Sequence, residues 1–136
     1  MQRIDRATEA DEFCLVLTPT RRASQRASEA VRGHFQVLPE GLRRDLAEVV
    51  GALVQNAVDY GPGKPITVTI ATSAHSIRGE VADQGNPAMG LPQIGNGANG
   101  NGNGDPRVLL DRVTSHWAVQ EGSTDVWFEI PLVTPD

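Results

Sequence analysis

The segment from Arg43 to Gly61 constrains the fold of this chain more than any other part of the sequence. Its apolar residues recur every three or four positions, the period of a helix with one face in a core: Leu46, Val49 or Val50, Leu53 and Ala57. Gly61-Pro62-Gly63 is a helix stop signal. A second stripe at the same spacing consists of Asp45, Glu48, Ala52, Asn56 and Asp59. One helix thus presents both a core face and a stripe that carries polar groups.

Composition limits the kinds of partner. The chain has 136 residues, 39% of them hydrophobic, which suits one domain with one core. Its formal charge of -5 argues against direct nucleic-acid binding. The single cysteine, Cys14, lies in an apolar run and predicts a buried thiol in a reduced compartment. No apolar run reaches the roughly 18 residues of a membrane span, and no signal peptide is evident. We expect a cytoplasmic protein with no membrane contact.

The first half of the chain is typical of a strand followed by two helices. Residues 1–12 are charged and aperiodic, which predicts a flexible lead-in to a domain over 13–136. A buried strand is expected over residues 13–17, and Thr18 and Pro19 are typical of a helix start. That helix should run to about Val37. Its small residues predict a face that another helix can approach closely: Ala23, Ala27, Ala30 and Val31. Its arginines instead predict a solvated basic face: Arg21, Arg22, Arg26 and Arg32.

The second half predicts a hairpin, a loop, a helix and two strands. Residues 66–70 and 76–82 alternate as strands do, with Ile77 and Val81 inward. Residues 85–104 hold seven of the fourteen glycines, which predicts a mobile lid.

A short helix should begin at Asp105-Pro106, and strands should follow over 115–120 and 126–131. Four apolar residues should fill the helix: Val108, Leu109, Leu110 and Val113. This order predicts an α/β (α+β) two-layer sandwich with helices on one face of a mostly antiparallel sheet.

Several blocks together resemble the GHKL (histidine-kinase-like) ATPases, whose fold is of the Bergerat type. They are Asn56-Ala57-Val58-Asp59-Tyr60-Gly61 at a helix end, then a hairpin, then Asp83-Gln84-Gly85-Asn86-Pro87, then a glycine-rich lid and a helix. The ending Asp125-Val126-Trp127-Phe128-Glu129-Ile130-Pro131 and the preceding His116-Trp117 narrow the resemblance to the small anti-sigma factor serine kinases of Gram-positive bacteria, particularly those of actinobacteria. The resemblance covers roughly residues 13–132.

This resemblance implies ATP and Mg²⁺ as cofactors. The family's helix Asn holds the magnesium that bridges the phosphates, and Asn56 is the matching residue, with a hard oxygen suited to that ion. Asp83 matches the Asp that binds the adenine amino group, and Gly85 would give the base room. The end of the lid and the start of the next helix would fold over the phosphates. The nucleotide-binding residues implied are Asn56, Asp59, Asp83, Gly85, Gly104, Arg107 and Asp125.

The position of the catalytic base departs from the family pattern. The family has a Glu four residues before the Asn, where this chain has Ala52. A methyl group cannot accept a proton, so no catalytic residue is assigned. Glu48 lies on the same stripe but about 12 Å from Asn56 along the helix, where the family spacing is about 6 Å. It is a poor substitute for the base.

Two further departures fall in the same implied site. Pro106 has no N–H to donate to a phosphate at the helix start. The Asp105 carboxylate would repel a phosphate there, although Arg107 could reach the phosphate. Asp125 stands where the family usually has a threonine. A second carboxylate near Asp83 would raise the proton affinity of one of the pair.

Three functions follow from these residues. The first is an anti-sigma-factor-like regulator that holds a sigma factor or an anti-sigma antagonist, as a homodimer in the family pattern, with lost or weak kinase activity. The alternative is an active ATP-dependent serine kinase of the antagonist, because phosphoryl transfer depends largely on positioning and metal. The third is a small-molecule sensor that uses the altered pocket.

Overall fold

The computed structural model describes residues 11–61, 63–83, 106–119 and 125–132. Within these ranges the elements are β1 (Asp11–Leu17), α1 (Ala23–His34), α2 (Glu40–Tyr60), β2 (Ile66–Thr72), β3 (Ser76–Ala82), α3 (Pro106–Val113), β4 (His116–Val119) and β5 (Val126–Pro131). Their types and order are those predicted. The predicted lid and most of the predicted lead-in lie outside the described residues.

The strands of the described residues form one sheet in the order β1-β2-β3-β5-β4. Each neighbouring pair is antiparallel. The last strand therefore inserts between β3 and β4, and the start of β5 lies beside the end of β3, with Val81 opposite Val126. This insertion brings two distant acidic positions of the sequence to one corner of the sheet.

Helix α2 supplies much of the core. The predicted core stripe is buried, and both Val49 and Val50 are inside. Helix α1 packs on α2, and Ala23, Ala27 and Val31 are fully buried, as expected for a face that another element covers. At the crossing, the Ser24 hydroxyl donates a hydrogen bond to the carbonyl oxygen of Gly51 at 2.8 Å.

The prediction of a buried Cys14 is wrong, since the thiol is exposed. Strand β1 lies at the sheet edge and covers the core with one face only. Phe13 and Leu15 pack against the core from that face, and Leu17 is buried in it. Cys14 and Val16 have the opposite orientation, and Val16 is 62% exposed. An apolar run alone could not distinguish this one-sided strand from a fully buried one.

Two helix details also differ from the sequence-based expectation. Helix α1 begins at Ala23 instead of Pro19 and ends at His34 instead of Val37. Residues 18–22 form a turn in which Thr20 accepts a hydrogen bond from the Arg22 amide at 3.3 Å. In α3, Val108 is 65% exposed, whereas Leu110 is buried. A helix of eight residues has room for one narrow core stripe, and Val108 falls outside it.

Candidate functional site

Asp83 follows the last residue of β3 and is 3% exposed. Alternate residues of β3, among them Ile77 and Val81, face inward, and Asp83 continues this alternation. Its side chain is therefore directed toward the helical layer. A buried carboxylate at a strand end can accept hydrogen bonds from a ligand with high specificity, because leaving it unpaired is costly. The structure thus places the predicted adenine-binding residue inside the protein.

Gly61 makes the space that Asp83 occupies. It is the C-cap of α2, with extended backbone angles, and its N–H donates to the Ala57 carbonyl oxygen at 2.8 Å. An ideal Cβ on Gly61 would lie 2.7 Å from Asp83 Oδ2. The carboxylate therefore lies directly against the end of α2, and a larger residue at position 61 would displace it. The sequence analysis used Gly61 only as a helix stop signal.

Ala52 and Asn56 lie four residues apart on one side of α2, and both are half-buried. At 1.5 Å per residue, Asn56 is about 7.5 Å along the helix axis from Gly61. The amide of Asn56 therefore belongs to the same end of α2 as the Asp83 carboxylate. Asp59 is exposed and accepts a hydrogen bond from Gln55 Nε2 at 3.0 Å.

Glu48 is exposed and lies 3.9 Å from the Arg112 guanidinium of α3. A pair at this distance on the surface contributes little stability. It does show that Glu48 faces α3, one turn of α2 before Ala52.

A second carboxylate lies near Asp83. Burial raises the pKa of Asp125, and the negative charge of Asp83 raises it further, while a hydrogen bond with Glu80 lowers it. The sequence predicted a raised proton affinity for one carboxyl group of the Asp83 and Asp125 pair. The shift lies on Asp125.

The sequence analysis missed Glu80. Burial raises the pKa of this side chain, and the charge of Asp125 and the hydrogen bond with it raise it further. The shared hydrogen bond raises the pKa of Glu80 and lowers that of Asp125. Glu80 lies directly opposite Trp127, two residues from Asp125, so the contact depends on the β3–β5 register. The sequence alone does not predict that register.

The remaining predicted residues lie at the start of α3 or beyond the described ranges. Pro106 is the first residue of α3, as predicted, and Arg107 follows it with an exposed side chain. Gly85, Gly104 and Asp105 lie outside the described residues. The structure therefore brings together the α2 end, Asp83 and Asp125, and it leaves the phosphate side of the implied site undescribed.

The described residues fit an adenine nucleotide at the base end. Asp83 is a buried acceptor in a space kept free by Gly61, and an adenine amino group is a donor that such an acceptor can bind. Asn56 would offer its carbonyl oxygen to magnesium, which would supply charge neutralisation at the phosphates. Ala52 stands at the position implied for the catalytic base, and its methyl group cannot accept a proton.

No model of a known protein family and no curated protein matches this sequence. One solved structure that does match contains the RsbU and RsbW domains of Rv1364c from Mycobacterium tuberculosis, with a TM-score of 0.65 and 16% identity over 89% of this chain. This chain spans 32% of the length of that one, and the similar part is its RsbW domain, of the GHKL type. The described part of the chain thus has a GHKL-type α+β fold, as predicted. At this identity the likeness establishes the fold and no activity.

The described ranges contain neither a membrane-spanning helix nor a cluster of metal ligands. No helix in them is long and apolar enough to cross a membrane. Nor do three or more His, Cys, Asp or Glu side chains gather there in a way that could hold a metal ion.

Proposed function

We propose that this protein is an anti-sigma-factor-like regulator that acts by holding a protein partner, either a sigma factor or an anti-sigma antagonist. The observation that carries the proposal is Ala52, half-buried on the side of α2 that also bears Asn56, in a fold whose described residues form a buried core. Holding a partner requires the fold and its surface, whereas phosphorylation also requires a base. The likeness to an RsbW domain supports this class of partner.

In this proposal the protein works in the cytoplasm as a homodimer, in the manner of the small actinobacterial anti-sigma factors that its sequence resembles. Its kinase activity is lost or weak. ATP and Mg²⁺ bind, if at all, as structural ligands: Asp83 receives the adenine amino group and Asn56 receives the metal. Asp125 weakens this site, because its carboxylate lies near that of Asp83 and adds another acceptor where a threonine hydroxyl could donate.

A second function, an active serine kinase of the antagonist, is favoured by one observation. Gly61 leaves room for the buried Asp83 carboxylate, so the acceptor that the resemblance assigns to the adenine base has the space it needs. Phosphoryl transfer relies mainly on positioning and metal, so the missing base lowers the rate without necessarily removing it.

The first measurement is calorimetric titration with ATP and ADP, with and without magnesium, on the natural protein and on Asp83→Asn. Micromolar binding that Asp83→Asn removes would support the kinase alternative. Its next test is phosphoserine formation on a candidate antagonist, with Asn56→Ala as the control. An absence of ATP and ADP binding would support the proposed regulator that holds a partner without kinase activity.

The partner itself requires a second experiment. Tagged protein is recovered from cells that express it, and bound proteins are identified by mass spectrometry and then titrated in purified form. We expect a sigma factor or an antagonist domain to bind the natural protein and Asp83→Asn equally. Failure of both partner classes to bind in purified form would exclude the proposed function.

A further inference from the structure

The sheet has an outer face that the described helices leave uncovered. Buried residues of all three helices form one core with alternate residues of β3 and β5, among them Ile77, Val81 and Phe128. The residues between these point to the outer face, and one of them is Trp127. Trp127 is 36% exposed, whereas its neighbour Phe128 is fully buried. Tryptophan supplies a large contact area and is enriched at protein interfaces, so its place on an open sheet face indicates a binding surface.

Carboxyl groups surround Trp127 on this outer face. Glu80 of β3 lies directly opposite Trp127. Asp125 and Glu129 come two residues before and after it, so they share its face of the sheet. On the other side, Ala118 of β4 lies opposite Trp127, and a methyl group is too short to cover an indole ring. The ring therefore lies among three carboxyl groups and one small apolar side chain.

The charges around Trp127 favour a cation. Arg78, opposite Glu129, is the one lysine or arginine in β3, β4 and β5, and His116 Nδ1 lies 3.7 Å from Glu129 Oε1. Burial raises the pKa values of Glu80 and Asp125, and the negative charge of a neighbouring carboxyl group raises each further. A positive group placed here would reduce this repulsion. It would also be attracted to the face of the indole ring.

A protein segment that carries arginine fits this surface better than other occupants. A guanidinium group stacks on aromatic rings and pairs with carboxylates through parallel hydrogen bonds. One arginine could thus contact Trp127 and Glu80 together. A nucleic acid, or the same face of a second copy of the chain, would bring negative charges against these carboxyl groups, which is unfavourable.

We propose that the outer face of the sheet around Trp127 binds an arginine-rich segment of a partner protein, with one arginine on the indole ring. We call this area the Trp127 surface, formed by Glu80, Ala118, Asp125, Trp127 and Glu129. It goes beyond the proposed function, because it lies on the face of the sheet opposite to the helical layer and requires no nucleotide.

Nuclear magnetic resonance titration locates the contact. The probe is a short synthetic peptide of alternating arginine and serine, and the control peptide has glutamate in place of each arginine. The two tryptophans of the chain give two indole N–H signals, which Trp127→Phe assigns. We expect the arginine peptide to shift the signal of Trp127. It should leave that of Trp117, whose indole donates to Asp111 Oδ1 at 2.8 Å, in place, and the glutamate peptide should shift neither.

Matched substitutions separate the Trp127 surface from general attraction between opposite charges. Trp127→Leu removes the aromatic ring, and Glu80→Gln removes one carboxylate. Glu29→Gln removes the same charge from an exposed position of α1. We expect peptide affinity to fall about tenfold in Trp127→Leu and about threefold in Glu80→Gln, and to change less than about twofold in Glu29→Gln. Trp127→Phe keeps a ring and should lose less than Trp127→Leu.

Three results would overturn the proposal. The first is an unchanged Trp127 signal at millimolar arginine peptide. The second is an equal loss of affinity in Trp127→Leu, Glu80→Gln and Glu29→Gln, which would show attraction to net charge alone. The third is self-association in sedimentation velocity that Trp127→Leu abolishes, since the occupant would then be a second copy of the chain. Circular dichroism of each variant checks that it folds as the natural protein does.

Discussion

The carboxylate of Asp83 fills the space where a side chain on Gly61 would begin, with Oδ2 2.7 Å from the ideal Cβ position. The same Cβ would also overlap the carbonyl oxygen of Ala57. One glycine thus sets how closely the end of β3 approaches the end of α2. The principal nucleotide-binding candidate of the sequence depends on this contact.

Gly61→Ala should lower the free energy of unfolding by about 1–3 kcal/mol, the usual cost of overpacking. Urea denaturation measures this change. Gly33→Ala is the matched control, since a Cβ there meets nothing within 4 Å in α1. Replacing that helical glycine should raise stability by about 0.5–1 kcal/mol. Equal behaviour of the two variants would contradict the contact between Gly61 and Asp83.

Gly79 makes a second close contact, with the ring of Phe128 directly opposite on β5. Phe128 is fully buried, so the ring has no free space to enter. We expect Gly79→Ala to destabilise the protein by about 1–3 kcal/mol. Thermal unfolding followed by circular dichroism checks this. Gly41→Ala, in the open first turn of α2, should show no loss.

The acidic pair predicts a pH dependence of stability. The pKa values of Glu80 and Asp125 are raised above their ordinary 4.5 and 3.8, so the folded state binds more protons than the unfolded state in the range above those values. The free energy of unfolding contributed by this pair therefore falls as pH rises through the raised pKa values.

Asp125→Asn removes one of these charges. We expect the variant to be more stable than the natural protein at pH 7 by about 0.2–1 kcal/mol, the size of a cross-strand charge interaction. The difference should shrink as the pH falls through the raised pKa of Asp125, because the natural carboxyl then takes up a proton. Denaturation curves at several pH values measure it. A variant that is less stable at pH 7 would show that Asp125 is held by favourable contacts.

Ala52→Glu tests whether the missing base limits catalysis. The variant places a carboxylate four residues before Asn56, on a half-buried face of α2. A general base typically contributes about 10²–10⁴-fold in rate. If ATP binds, we expect the variant to hydrolyse ATP at least about 10²-fold faster than Ala52→Gln, which has the same size without the charge. Equal rates would place the defect elsewhere in the site.

The fold could be predicted where one periodicity dominates. The stripe from Leu46 to Ala57 is helical throughout, and the alternation in β2, β3 and β5 is strict, so neighbouring residues specify the same element. Cys14 shows the limit of this approach. Its neighbours are apolar on both sides, and only the position of β1 at the sheet edge decides that one face is open.

The sequence by itself determined the element types, the core stripe of α2, and the candidate pair Asn56 and Asp83 with Ala52 at the base position. These depend on residues close together in the chain, where helical and strand periods relate spacing directly to a face. The tertiary structure alone decided that β5 lies beside β3, which joins Asp125 to Glu80, and that Gly61 makes room for Asp83. Such contacts join residues far apart in sequence, and their register is set by how the whole sheet packs.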